Sequence, residues 1–467
     1  MKTHKALLAA LLVPLGATLA VAPAALAATP SAPVAVPASS TAAPVGPREA
    51  AAAAFRSPEA ALGRVAHPLR TTEPRGDLAD LRPFGRMVGD ARVVGLGEAT
   101  HSSHEFFTVK HRVFRYLVEE KGFRAFALEA PWSTGLRLDA YLLRGEGDLK
   151  QIMDEEFQGT YQFWNNAEYR DLLQWMRGYN VKHPKDPVRF VGDDNGFAGA
   201  ELYDKVSAYA AEARPELTSR LTELYRGLRP TTDADTYVDE YLAKPLAERK
   251  QLAERTGRAM DLLRQRPGKG ADAYAWAVQH ATAIHQMTTL YAFDWDDPQA
   301  IPDAMRYRDR VMAENVVWWQ RQTGDKIVLG AHNSHVALKT YAPSSHPQVQ
   351  GDFLREQLGR GYLSVGLTFG RGSFNALGQD GGVHRFAVGP AAPGTAEHTL
   401  DRVRYRDFLV DLRDTPAAAR AWLAAPHTVK NIGATYPGIA DAPQIRLAQT
   451  HDVVIHLQRV EAAHMLK

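Results

Sequence analysis

The residues of this sequence best suited to chemistry are histidines and carboxylates that follow short apolar runs. Three such groups stand just past the ends of predicted strands: Glu98 with His101, Glu129, and His332 with His335. Open α/β sheets bind their ligands at the carboxyl ends of the strands. A single histidine in such a place is usually structural, but the coincidence of three groups predicts a hydrolase-type site.

His101 is the candidate general base of this site. The glycine-containing turn before it places His101 at the start of a predicted helix. The positive end of a helix dipole disfavours an imidazolium, so His101 is expected to stay neutral and able to accept a proton. Glu98 could hold the ring and stabilise the charge that it acquires. The alternative is a capping loop whose histidines are merely solvated.

The carboxylates also allow structural interpretations. Glu129 directly follows a buried strand, where an unpaired carboxylate is costly, so it could simply pair with an arginine or a backbone amide. Asp193 and Asp194 follow another predicted strand and could equally form a turn. Neither group by itself would establish a catalytic site.

Signatures of covalent or nucleotide chemistry are missing from the sequence, which has no cysteine, no Gly-x-Ser-x-Gly motif, no Walker loop and no dinucleotide fingerprint. Histidines and carboxylates without a nucleophile indicate activated water. The first hypothesis is therefore a hydrolase that needs no cofactor and uses His101 as its base. The second is a hydrolase in which the same cluster binds a divalent metal, zinc or manganese. The third is an exported binding protein that keeps the fold without catalysis.

Six apolar runs are predicted strands, and several are followed by helical patterns; the runs are 92–97, 125–128, 188–191, 326–329, 362–367 and 452–457. This alternation predicts an α/β fold with a largely parallel central sheet and flanking helices. In the helix after the first strand, Ser102 and Glu105 are expected to form a capping box at the start. Gly122 is expected to end that helix.

Composition divides the chain into five segments. A basic start, an apolar run and an Ala-x-Ala motif predict a signal peptide over residues 1–27, and an Ala/Pro-rich flexible linker follows over 28–55. Strand patterns vanish over 198–294, which predicts an all-helical subdomain inserted between two parts of the α/β core, 56–197 and 295–467. The protein is therefore expected to be secreted or otherwise extracytoplasmic.

Charge and hydropathy limit the partners of the protein. A formal net charge of only +2 argues against a nucleic-acid binder, which usually carries a strongly basic face. The N-terminal apolar run is too short and too interrupted for stable membrane insertion. The expected partner is a small-molecule ester or lactone, and the oligomeric state is left open.

At these positions the sequence resembles the erythromycin esterase family. The shared motifs follow the family's order between about residues 60 and 460: Gly97–His101 with Glu105-Phe106, Leu128-Glu129, Phe163–Glu168, Trp175–Asn180, Arg308-Asp309, Met312–Asn315 and Ala331–His335. Their combination is specific, although each alone would be weak. The resemblance implies an α/β core with a helical part over the cleft. It also implies ester hydrolysis without a covalent intermediate, which in antibiotic-resistance members opens the macrolactone ring of a macrolide.

The resemblance further implies roles for single residues. His101 matches the base that activates water, Glu98 and Glu129 match the carboxylates around it, and His332 and His335 match a second pair that could polarise the carbonyl or protonate the leaving alkoxide. Further motif residues are expected to bind substrate: Lys110, His104, Glu105, Trp164, Glu168 and Arg308. The antibiotic-inactivating members act in the cytoplasm and have arginine at the position of Lys110, where lysine lacks the planar bidentate fork.

Overall fold

The computed structural model describes residues 57–265, 270–437 and 442–466. Numbered along the chain, its strands are β1 (His67–Pro68), β2 (Val93–Leu96), β3 (Phe123–Pro131), β4 (Arg189–Asp194), β5 (Lys326–Gly330), β6 (Tyr362–Leu377), β7 (Val383–Val388), β8 (Phe408–Asp411), β9 (His427–Thr428), β10 (Gln444–Ile445) and β11 (Val453–Val460). The main sheet has the order β1–β8–β11–β6–β2–β5–β3–β4, with β7 paired to β6. Strands β9 and β10 form a separate pair.

The centre of the main sheet is parallel. Strands β11, β6, β2, β5, β3 and β4 pair in parallel with their neighbours. Strands β1, β7 and β8 add antiparallel pairings around this centre. All six predicted strands are present, which confirms the α/β fold with a largely parallel central sheet.

Helices flank the sheet. They are α1 (Pro58–Val65), α2 (Arg82–Val88), α3 (His104–Lys121), α4 (Trp132–Arg144), α5 (Leu149–Glu156), α6 (Ala167–Lys182), α7 (Ala200–Ala213), α8 (Thr218–Tyr225), α9 (Ala234–Leu242), α10 (Leu246–Arg264), α11 (Ala271–Leu290), α12 (Ile301–Thr323), α13 (Asn333–Val336), α14 (Gln350–Leu358), α15 (Ala396–Leu400), α16 (Ala417–Ala424) and α17 (Leu447–Thr450). Between β4 and β5 the described residues form helices and no strand, as the inserted helical subdomain requires. The exact segment boundaries stay predictions.

Neighbouring residues of the central strands face opposite helical layers, because side chains alternate along a strand. Val94 and Val328 belong to the apolar cluster that includes residues of α3 and α6. Val93 and Ile327 belong to the cluster that includes residues of α7, α10 and α11. The helical insertion therefore shares its core with the sheet and forms one of the layers that cover it.

Helix α3 differs at its start from the predicted pattern. It begins at His104, and Ser103 is its N-cap without a side-chain capping bond. The Glu105 carboxylate accepts a hydrogen bond of 2.6 Å from the backbone N–H of Glu461 instead. The predicted capping box is therefore wrong, because Glu105 is turned to the C-terminal segment. Gly122 ends the helix in the left-handed conformation, at φ 69°, as predicted.

Among the described residues, no helix combines the length and the apolar composition needed to cross a lipid bilayer. The predicted signal peptide (1–27) and linker (28–55) lie outside the described residues. The extracytoplasmic location that they indicate stays a prediction.

Candidate active site

The polar groups that follow the central strands meet at one edge of the sheet. Strands β2, β5, β3 and β4 are parallel neighbours in that order, so their carboxyl ends lie together. The Asn333 N–H donates to the backbone carbonyl of Glu98 at 2.9 Å, and the His332 N–H donates to the Glu129 carboxylate at 3.2 Å. A side chain at Gly97 would collide with the Asn333 side chain. Glycine is therefore required for the close approach of these loops.

His101 is held by a buried carboxylate. Its Nδ1 lies 2.9 Å from Glu98 Oε1, and since a carboxylate only accepts hydrogen bonds, Nδ1 must carry a proton. In a neutral ring this leaves the lone pair on Nε2, where a general base needs it. His101 lies in the turn before α3 rather than within the helix. Its proton-accepting form is therefore set by Glu98 rather than by the helix dipole alone.

Lys110 acts on His101 through this carboxylate. Its ammonium group donates to Glu98 Oε2 and, at 3.3 Å, to the backbone carbonyl of Ala331. Lys110 is 1% exposed and Glu98 is 0% exposed. Burial lowers the pKa of Lys110 below its ordinary value, although the charge of Glu98 opposes this. Lys110 thus orients Glu98 as an arginine would, with one point charge in place of a bidentate fork.

An aromatic wall packs against the His101 ring. Trp164 meets it edge-on at a centroid distance of 5.3 Å, and Phe163 stacks at 6.4 Å. The indole N–H of Trp164 donates to the backbone carbonyl of Glu129 at 2.8 Å, which sets the orientation of the indole. Of the residues predicted to bind substrate, Trp164 is the one placed directly against the His101 ring.

His332 lies beside His101 as a neutral ring. The ring centroids are 4.8 Å apart. His332 Nε2 donates to the carbonyl of Ile432 at 3.3 Å, and its Nδ1 accepts from the backbone N–H of Ser334 at 3.3 Å. Burial, together with the nearby ring of His101, holds the pKa of His332 well below its ordinary value. His332 can therefore donate a hydrogen bond from Nε2 without carrying a charge.

Glu129 and Asp194 share a buried arginine. The Arg308 guanidinium contacts both oxygens of Asp194, at 3.0 and 2.5 Å, and Glu129 Oε1 at 3.1 Å. Tyr161 also donates to Asp194, at 3.0 Å. Burial would raise the pKa of Glu129, but its cationic neighbours, His335 first among them, hold it well below the ordinary value. Glu129 therefore has the structural partners that the sequence allowed, an arginine and a backbone amide, and it also lies within the polar cluster.

His335 differs from His332 because it lies between two carboxylates. Nδ1 is 2.7 Å from Asp309 Oδ1, and Nε2 is 3.3 Å from Glu129 Oε1. Burial lowers the pKa of His335, but the charges of Asp309 and Glu129 outweigh burial and raise it to about 10. The two carboxylates therefore favour the imidazolium form of His335. An imidazolium cannot accept a proton, so His335 is assigned an electrostatic part in the cluster.

The raised pKa of His335 predicts a specific dependence of stability on pH. A cation with a folded pKa near 10 and an ordinary value of 6.5 stabilises the fold fully below pH 6.5. That contribution is lost as the pH rises from 6.5 towards 10. Denaturant unfolding of the wild type is expected to show this loss. In His335→Gln the dependence on pH should be clearly flatter over the same range.

The matched control for this experiment is His384→Gln. His384 is half exposed and contacts Asp380 at 2.9 Å, so it is also a histidine beside a carboxylate. Its variant should retain the slope of the wild type, because an exposed pair contributes little. Equal slopes for the wild type and His335→Gln would show that His335 does not gain its charge on folding.

Three residues predicted to bind substrate lie apart from the cluster. His104 Nδ1 is 2.6 Å from Glu168 Oε1, and His464 Nδ1 is 2.7 Å from the same oxygen. Glu105 binds the backbone of Glu461. These described contacts join the starts of α3 and α6 to the C-terminal segment 461–466, so they do not support a substrate-binding role.

Asp309 is a site residue for which the sequence predicted no role. It stands next to Arg308 on α12, yet it contacts His335 and also accepts from the backbone N–H of Gln350 at 2.8 Å. Arg308 and Asp309 are both buried and therefore need partners. Because α12 carries several other charged residues, its composition does not show that these two are the buried ones.

The donor atoms of this cluster do not suit a divalent metal. Both carboxylates that a metal would need are already bonded to cations: Glu98 to Lys110, and Glu129 to Arg308 and His335. The two ring nitrogens of His332 are engaged by backbone groups. A metal ion here would face three buried positive charges, so the arrangement suits base catalysis better than metal binding.

Comparisons with known proteins agree with this fold. A family model described as erythromycin esterase matches residues 118–460. Erythromycin esterase type II of Escherichia coli is 24% identical over 331 residues, which cover 66% of this chain and 76% of that protein. A crystal structure of a Bacillus cereus protein is 31% identical, has a TM-score of 0.81, and matches over 88% of this chain and 98% of its own. An erythromycin esterase variant in an open conformation, 18% identical, has a TM-score of 0.68 over 86% of this chain and 98% of its own.

The residues matched by the family model include part of the cluster, and the rest of the cluster precedes them in the chain. Glu129, Arg308, His332 and His335 lie inside the matched residues, whereas Glu98 and His101 precede them. At 18% identity, the likeness to the open esterase variant concerns the fold alone. The match of the family model over most of the chain shows that this protein belongs to the erythromycin esterase family of hydrolases.

Proposed function

We propose that this protein hydrolyses an ester or a lactone with a water molecule that His101 activates. The observation that carries the proposal is the 2.9 Å contact between His101 Nδ1 and Glu98. It assigns the lone pair of the neutral ring to Nε2. A base held this way in a buried site can take a proton from water.

In the proposed reaction, His101 Nε2 removes a proton from water while the oxygen of that water adds to the carbonyl carbon. The imidazolium that forms is stabilised by Glu98, which is held in place by Lys110. When the tetrahedral intermediate collapses, His101 returns the proton to the departing alkoxide. The products are a carboxylic acid and an alcohol, or one hydroxy acid from a lactone, and no acyl-enzyme forms.

His332 is assigned to the carbonyl oxygen. Its ring adjoins that of His101, and its Nε2–H is bonded to Ile432 by a contact of 3.3 Å, which is long for a hydrogen bond. A substrate carbonyl can replace this backbone acceptor. Hydrogen-bond donors aimed at a developing oxyanion typically contribute about 10²–10³-fold to kcat.

The proposed substrate is a small molecule with an ester or lactone bond, and a macrolide ring is one candidate. The support for a macrolide is the name of the Escherichia coli relative, an erythromycin esterase, at 24% identity. We further propose that the protein acts outside the cytoplasm, from the signal-peptide pattern of residues 1–27. A cytoplasmic antibiotic would be inaccessible to such an enzyme, so extracytoplasmic esters are tested first.

A mass-spectrometric screen of esters, lactones and macrolides tests the proposal. A lactone substrate should gain about 18 mass units through added water. In water labelled with oxygen-18, a single turnover should place the label in the acid product. Covalently labelled protein in rapid-quench samples would contradict the direct attack of water. An absence of turnover across the panel would favour a ligand-binding protein.

A further inference from the structure

Three side chains with metal-binding atoms converge outside the catalytic cluster, where the segment 461–466 crosses the starts of α3 and α6. One ring nitrogen of His104, one ring nitrogen of His464 and a carboxylate oxygen of Glu168 all lie within 4.8 Å of one another. We propose that His104, Glu168 and His464 bind a divalent transition-metal ion, for which zinc is the best fit.

The chemistry of the three donors suits zinc. Two imidazoles and one carboxylate form a common three-residue zinc set, with a further position left for water. Two ligands of a tetrahedral zinc ion lie roughly 3.4 Å apart. The two contacts to Glu168 Oε1, at 2.6 and 2.7 Å, therefore need to open by less than an ångström. Small rotations of the side chains suffice for that.

The convergence on one atom distinguishes this group from an ordinary ion pair. Both imidazole Nδ1 atoms face the same oxygen, Glu168 Oε1, and the His464 backbone N–H is shared between Oε1, at 3.2 Å, and Oε2, at 3.3 Å. If the two imidazoles only formed ordinary hydrogen bonds with Glu168, each could equally use a different carboxylate oxygen. Both rings therefore already point at the carboxylate that would share the ion, and the three donors can surround a cation once these contacts open.

A second observation concerns the other nitrogen of His104. Its Nε2 is 3.0 Å from Glu73 Oε1. Histidines that bind metals almost always donate their second N–H to a carboxylate or a carbonyl, which fixes the ring and raises its basicity. Glu73 supplies this contact, and with Glu168 it brings two negative charges to the site. The 72% exposed side chain of His464 leaves a path for the ion.

The ion would fasten the C-terminal segment over two loops of the catalytic cluster. Ala463 N–H donates to the carbonyl of Ser102, next to His101, and Leu466 N–H donates to the carbonyl of Asn165, next to Trp164. His104 and Glu168 lie on the helices that follow these loops. A bound ion therefore joins both loops and the segment 461–466 at one point.

Zinc titration of the untagged full chain tests the site without any measurement of turnover. We expect one zinc ion per chain, measured by equilibrium dialysis and atomic emission, and a rise in the unfolding temperature when zinc is added. His464→Ala should lose the stoichiometric ion, and its exposed position means that the variant should still fold. His384→Ala, which alters an exposed histidine beside a carboxylate, should bind zinc like the wild type.

Two further measurements separate this site from adventitious binding. Glu73→Gln should weaken zinc binding by about 10–100-fold, as is typical when a supporting carboxylate is lost. Zinc should also slow amide hydrogen exchange in the segment 461–466 of the wild type but not of His464→Ala. Equal zinc binding by the wild type and His464→Ala would overturn the proposal. If zinc binds but the exchange does not slow, the ion does not hold the segment 461–466 in place.

Discussion

Replacement of His101 by alanine is expected to lower kcat/KM for the ester or lactone substrate by roughly 10²–10⁴-fold, the usual contribution of a positioned general base. The ring is 2% exposed and hydrogen-bonded to Glu98, and alanine removes both its lone pair and this contact. Steady-state kinetics with the substrate found in the screen measure the loss. It should be mainly in kcat, because proton removal belongs to the chemical step.

His332→Ala is the comparison variant that separates the two neighbouring histidines. His332→Ala should remove the hydrogen bond to the substrate carbonyl and leave the base in place, whereas His101→Ala should remove the base itself. Circular dichroism and thermal unfolding establish that both variants fold. Turnover by a folded His101→Ala protein at the wild-type rate would show that His101 is not the base.

Glu98→Gln is expected to destabilise the fold by about 3–5 kcal/mol, as is typical when one partner of a buried ion pair is removed. Lys110 would then keep its charge in an interior where it is 1% exposed and has only the Ala331 carbonyl as a further described partner. The activity should fall as well, because the orientation of His101 and the stabilisation of its cation both depend on the carboxylate. Denaturant unfolding and kinetics measure the two effects separately.

The double variant Glu98→Gln/Lys110→Met distinguishes stability from catalysis. Removal of both charges should recover much of the lost stability, because no buried charge is left unpaired. Activity should stay low. Glu248→Gln serves as the control, since the Lys244–Glu248 pair is exposed and should contribute under about 1 kcal/mol. If the double variant were less stable than Glu98→Gln, the pair would not be coupled as described.

Much of the fold was predictable because it depends on local patterns. The six apolar runs form strands of the sheet, and Gly122 ends α3. A strand buried on both faces needs a short apolar run, and a left-handed helix end favours glycine, so each feature can be predicted from a few adjacent residues. The exposed strand β7 lacks such an apolar run. It is held by pairing with the second half of β6, which local composition does not reveal.

The sequence also determined which residue types stand at the carboxyl ends of the strands, and thus that Glu98, His101, Glu129 and His332 were candidates for one site. The physical reason is that a strand followed by a polar group is a local pattern, and parallel strands end at a common edge. Membership of the cluster was therefore predictable before the order of the strands was known.

Only the tertiary structure decided what each candidate can do. The order β2–β5–β3–β4 joins residues more than two hundred positions apart, and the rotation of α12 directs Asp309 to His335. These contacts make His335 a cation while His332 stays neutral, although the two histidines are three residues apart. The tertiary structure also places the Glu105 carboxylate against the C-terminal segment, where it accepts a hydrogen bond from the backbone N–H of Glu461. Charge state and partner choice depend on distances between remote residues, which no local pattern contains.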